Sequence, residues 1–193
     1  MIRLQQLVLE KTRLWVKEIM EKNDAAHDMA HIDRVVKIAL QLGEKAGADM
    51  FRVQMLALLH ELEDDKLASN LGSVPVKTML WQLQLPQEDI DFLLTGISYI
   101  SFRKYPKLDD SIPLEIRIVQ DSDRMDAIGA VGIARTFAYG GAKGRPLQDS
   151  LDHFDEKLLK LYDLLTVPAA KEMAKSRYEF LKAFYIQFTE EIS

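Results

Sequence analysis

Residues 27–47 read HDMAHIDRVVKIALQLGEKAG, and their apolar members decide the secondary-structure class. Ile32, Val35, Val36, Ala39, Leu40 and Leu42 recur at the three- and four-residue spacings of one helix face, and Gly43 and Gly47 offer the chain a place to stop. The same periodicity extends outward in both directions. Upstream, Leu4, Leu7, Val8, Leu14, Trp15 and Ile19 predict a first amphipathic helix, interrupted at Asn23 and Asp24. Downstream, Asp49 is placed to cap a third helix through Phe51, Val53, Leu56, Leu59 and His60. A polar stretch over 68–73 leads to a short helix around 79–83, and Pro86 suits the first turn of a helix over 88–100.

Residues 104–113 read as a loop, with Pro106, Asp109, Asp110 and Pro113. Residues 114–139 are long and apolar, broken by an acidic patch over 121–126. Gly129 and Gly132 there suit close helix packing, although each Gly weakens a helix by roughly 1 kcal/mol. Gly140, Gly141, Gly144 and Pro146 mark a surface loop, followed by helices over 151–165 and 168–192. No period-2 segment, repeat or composition shift stands out. The expectation is an all-α, single-domain helical bundle over 1–193, with core motifs in 27–130 and C-terminal helices in 150–192. Trp81 and Phe102 are assigned to the core, a homodimer face being the other use for such residues.

Composition narrows the function classes. A net charge of −5 gives no general attraction for a nucleic-acid backbone, so no nucleic-acid partner is expected, and an anionic substrate needs local help. Cys is absent, which excludes disulfides, thiolate zinc sites and thiol catalysis, and fits a cytoplasmic setting. No uninterrupted apolar run approaches the length of a membrane span, and the N-terminus mixes charges into its apolar pattern, so no membrane association is expected.

Three of the four histidines stand in two suggestive contexts. His27 and His31 lie four apart in HDMAHIDRV, and His60 precedes Glu61 in LLHELEDDK, where an apolar stretch ends. A third segment, IVQDSDRMDAIGA over 118–130, sets carboxylates among apolar residues. Imidazole and carboxylate are ligands for divalent transition metals. Asp64 lies four residues after His60, and Asp65 four after Glu61, on the same helix faces. Spacing alone leaves a second reading open: hydrogen-bonded histidines, a solvated acidic helix end over 61–65, and surface pairs of Asp121, Asp123 and Asp126 with Arg117 and Arg124.

The ordered set HDMAHIDRV, LALLHELEDDK, VQDSDRMDAIGAVGIARTFAYGG and HFDEKLLKLYDLL resembles the HD-domain metal-dependent phosphohydrolases, within them the small stand-alone bacterial proteins of the YedJ and YpgQ type. The resemblance implies a divalent metal (Mn, Ni, Co, Fe, Zn or Mg) held by His31, His60, Glu61 and Asp123, with Asp121 as the alternative to Asp123 or its supporting partner. It implies Asp64 or Asp65 as the residue that handles the attacking water. His27, Arg34, Lys66 and Arg124 are implied as substrate contacts, with Arg103 and Arg145 as further phosphate candidates and Asp126 in support of the ligands. The implied substrate is a small-molecule nucleotide or phosphate ester, foremost a (deoxy)nucleoside triphosphate cleaved to monophosphate and pyrophosphate. A nucleotide monophosphatase, a weakened protein that binds metal or nucleotide and regulates a partner, and a metal-free helical module are the alternatives. One residue departs from the pattern: the family has Asp where this chain has Glu61, one methylene longer. That departure bears on metal preference and on turnover.

Overall fold

The computed structural model describes residues 2–21, 29–62, 75–100 and 105–192. Among them every regular element is a helix, as the periodicity requires: α1 (Ile2–Met20), α2 (Met29–Ala46), α3 (Met50–Leu59), α4 (Val76–Gln82), α5 (Gln87–Ile100), α6 (Leu114–Asp126), α7 (Gly129–Ala142), α8 (Leu147–Glu156) and α9 (Pro168–Ile192), with a 3-10 turn at Leu158–Lys160. The chain divides into two compact units, Met1–Gln120 and Asp121–Ser193, the boundary falling inside α6. No described helix is long and apolar enough to cross a membrane.

In the first unit α3 is the central element. Its second half buries Met55, Leu56, Ala57, Leu58 and Leu59 in succession, so that half is apolar around its whole circumference and must be surrounded. Helices α1, α2 and α5 pack on α3. Its start is the predicted one: the Asp49 carboxylate accepts from the N–H groups of Phe51 (2.9 Å) and Arg52 (3.1 Å). Gly47, at φ +69°, ends α2 just before it. The inward face of α1 differs from the expected stripe. Val8, Thr12, Val16 and Ile19 are buried, while Leu4, Leu7 and Leu14 are exposed. The four buried residues are spaced 4, 4 and 3 apart, and the Thr12 hydroxyl is satisfied by the Met55 sulfur at 3.7 Å, which lets a polar residue hold a core position. Trp81 is also not a core residue: it is 51 % exposed, with the Lys77 ammonium over its ring at 4.9 Å. Phe102 lies outside the described residues.

Gly96 brings α5 close to α3. A Cβ there would meet Leu56 Cδ2 at 2.5 Å and Ile116 Cγ1 at 3.3 Å, and Leu56 is fully buried with nowhere to swing. Gly96→Val is therefore expected to lower stability by about 1–3 kcal/mol through overpacking, read as a lower urea midpoint at unchanged slope.

In the second unit α7 packs on α8 and α9. Phe154 is fully buried, its ring centroid 6.0 Å from Phe137, 5.9 Å from Phe184 and 6.1 Å from Tyr185. The apolar stretch 114–139 forms two helices, α6 and α7, because the chain turns at Gly129, where φ is +77° and an added Cβ would come within 3.0 Å of Arg177 Cβ. A Cβ at Gly132 would meet the Ala127 carbonyl oxygen at 2.1 Å, so this glycine accommodates the junction's own backbone. Gly140 and Gly141, expected in a loop, belong to α7. The expected helix over 151–165 leaves the α conformation at Lys157 (φ −135°, ψ −59°), while Phe154, Leu158, Leu161 and Leu165 stay inward at helical spacing.

Candidate metal centre

His31 enters the core because the buried stripe of α2 begins with it: His31, Val35, Ile38 and Leu42 follow at steps of 4, 3 and 4. His60 caps the C-terminal end of α3 and is buried with the rest of that helix. Its Nδ1 lies 2.8 Å from the Ala57 carbonyl oxygen. A carbonyl can only accept, so Nδ1 carries the proton and the neutral ring presents its lone pair at Nε2. That Nε2 is 3.2 Å from His31 Nε2, and the Glu61 carboxylate oxygen Oε1 is 3.6 Å from each of the two nitrogens. The rings stand edge to face, centroids 5.2 Å apart.

This arrangement fits a divalent metal on two counts. Two nitrogens bound at about 2.1 Å to one tetrahedral or octahedral ion lie roughly 3.0–3.4 Å apart, which brackets the observed separation. The donor set, two neutral imidazoles and a carboxylate, is one that divalent transition metals accept. His31, His60 and Glu61 thus form a cluster able to chelate a metal ion. Glu61 reaches both imidazoles despite its extra methylene.

Helix α6 runs from the first unit into the second and ends in the turn that carries Asp121, Asp123, Arg124 and Asp126. Asp123 is partly exposed there. Asp121 is wholly buried, and its Oδ2 accepts from the N–H groups of Val167 (2.7 Å) and Thr166 (2.8 Å). Burial pushes its carboxyl up to about 6, against the pull of those two N–H groups and of Arg124. Arg124 is buried too, donating from Nη1 to the Leu164 carbonyl at 2.7 Å, with Asp121 Oδ1 at 3.6 Å. Burial lowers its guanidinium below the usual value. Asp126 accepts from Arg135 Nη1 at 2.7 Å. Arg34 sits three residues beyond His31 on α2, half-buried, and Arg145 is exposed with its guanidinium 5.2 Å from the Tyr139 ring centre. His27, Asp64, Asp65, Lys66 and Arg103 lie outside the described residues. The partners missed from sequence are Arg135, Arg177 and the amides of 166–167. None of them left a local signal in the sequence.

No protein-family model matches the chain. The uncharacterized Bacillus subtilis protein YpgQ is 39 % identical over 190 residues, spanning 95 % of this chain and 93 % of its own length. A crystal structure of an HD-superfamily hydrolase from Bacillus thuringiensis is 40 % identical and covers 97 % of each chain, with a TM-score of 0.76. The chain belongs to the HD superfamily of hydrolases. A second crystal structure, B. subtilis YpgQ in complex with ADP, superposes on this HD protein with a TM-score of 0.83 at 34 % identity, covering 97 % of this chain and 96 % of YpgQ. Membership gives the histidine–carboxylate cluster its context: the superfamily's metal site is expected where His31, His60 and Glu61 converge.

Proposed function

We propose that this chain is a metal-dependent phosphohydrolase acting on a nucleotide, with (deoxy)nucleoside triphosphates cleaved to monophosphate and pyrophosphate. The convergence of His31, His60 and Glu61 within 3.2–3.6 Å carries the proposal. The similarity to YpgQ, solved with ADP, supports the nucleotide. His31, His60 and Glu61, joined by Asp123 from α6, would hold the ion, which when bound supplies Lewis acidity toward a phosphoryl oxygen and lowers the pKa of water. Asp64 or Asp65 would take the proton of the water whose oxygen attacks the α phosphorus, as the bond to the departing pyrophosphate breaks. Arg34 and Lys66 would neutralise the phosphate chain. The Ala57 carbonyl keeps the proton of His60 on Nδ1, so the donor atom is set before anything binds.

The test is release of phosphate and pyrophosphate from deoxynucleoside and nucleoside triphosphates and monophosphates, with Mn²⁺, Ni²⁺, Co²⁺, Mg²⁺ or EDTA. Pyrophosphate release that needs the metal is the expected result. Phosphate from monophosphates alone would reassign the substrate, and no turnover with any metal would sink the enzymatic reading. Glu61→Asp separates reach from charge. Glu61 sets a carboxylate oxygen 3.6 Å from the Nε2 of each imidazole. The shorter Asp side chain withdraws it by roughly one C–C bond, about 1.5 Å. Turnover is expected to fall about a hundredfold, and activity restored or raised by Asp would refute this account.

A further inference from the structure

The last turn of α6 is tied to the segment before α9 more heavily than a helix end requires. Asp121 takes the N–H groups of Thr166 and Val167, and Arg124, three residues on, donates to the Leu164 carbonyl and faces Asp121 Oδ1. Arg177, from α9 itself, donates to the Met125 carbonyl at 2.7 Å. A buried acid–base pair is a poor way to gain stability, because well-packed apolar side chains of similar volume do as well or better. In some proteins what such a pair supplies is a fixed register between two segments. Asp121 and Arg124 share a helix face, and Asp123 lies between them in sequence, about 200° around the helix from Asp121. Fixing the 121–124 face to residues 164–167 fixes the direction in which Asp123 leaves the helix.

We propose that Asp121 and Arg124 form a clasp on segment 164–167 whose role is to aim the carboxylate of Asp123, making both of them positioning residues. The inference rests on the reading of Asp123 as a metal ligand. It also moves Arg124 from the phosphate contacts, where sequence put it, to the support of a ligand.

The clasp is tested with Asp121→Leu/Arg124→Met, beside Asp123→Asn and the natural chain. Leu and Met fill the space of the two side chains while removing their bonds to segment 164–167, so the variant is expected to unfold cooperatively with a midpoint within about 10 °C of the natural chain. Mn²⁺ binding to the metal-free proteins is measured by calorimetry. The dissociation constant is expected to rise about 10- to 100-fold in the double variant, as when a metal ligand loses its support, and at least as much in Asp123→Asn. The conservative Arg124→Lys, which keeps a donor for Leu164, is expected to recover part of the loss. Natural affinity in a folded double variant would overturn the clasp alone. Natural affinity in Asp123→Asn would overturn the ligand assignment and the clasp with it. If the double variant does not fold, Arg124→Lys and Arg124→Met read separately decide: equal affinities, both natural, again overturn the clasp.

Discussion

His60→Ala is expected to reduce metal-dependent hydrolysis by more than about a hundredfold and to abolish the stabilisation that the metal gives the natural chain. The two effects have one cause. His60 Nε2 lies 3.2 Å from His31 Nε2, and a Glu61 carboxylate oxygen lies 3.6 Å from each. Removing the ring leaves one imidazole and one carboxylate in the first unit, a pair that binds divalent ions weakly. For the natural chain, Mn²⁺ at a hundred times its dissociation constant adds about 2.7 kcal/mol, or roughly 5–10 °C in Tm for a protein of this size. The variant should show no Mn²⁺-dependent shift. Its own metal-free stability should fall by only about 1–2 kcal/mol, the value of the lost bond to Ala57 and some packing. A thermal scan with Mn²⁺ and with EDTA reads both numbers together, and a full Mn²⁺ shift in His60→Ala would remove this residue from the site.

Phe154→Ala is expected to be the most destabilising single truncation of the second unit, costing about 3–5 kcal/mol. The ring is fully buried and sits among Phe137, Phe184 and Tyr185, so nothing next to it can move in to fill the space without losing its own contacts. A typical domain has about 5–15 kcal/mol in all, so the variant should melt about 6–20 °C lower. Phe154→Leu, which keeps most of the volume, should cost about a third as much. Denaturant midpoints measure both, and a loss under about 1 kcal/mol for Ala would show that the aromatic cluster collapses around the gap.

The all-helical class was legible because the apolar spacing is helical almost everywhere, and α3 was placed to within a residue by one capping Asp. Where the reading slipped, the cause is physical. On α1, Leu4, Leu7 and Leu14 outrank Thr12 on any hydropathy scale, yet Thr12 shares the buried face of Val8, Val16 and Ile19, where a sulfur acceptor on Met55, 43 residues away, satisfies its hydroxyl. At Gly129 the pattern continues but φ is positive, and periodicity carries no record of φ. The site divides in the same way. His31, His60 and Glu61 stood out through a family resemblance, whereas spacing alone left them as ordinary partly buried polar residues. The engagement of Asp121 with amides 45 and 46 residues later had no local trace, because a carboxylate in a helix looks the same whether it meets an ion or an N–H group.

The bond between His60 Nδ1 and the Ala57 carbonyl has a consequence for motion as well as for chemistry. One hydrogen bond both closes the last turn of α3 and selects the nitrogen that faces His31. Fraying of that turn and loss of the donor atom are therefore the same event. By reciprocity, an ion that favours the ordered ring must also hold the helix end shut. Amide hydrogens at the end of α3 should accordingly exchange more slowly when metal is present, and any substitution that loosens this turn should weaken the ion's hold without touching a ligand.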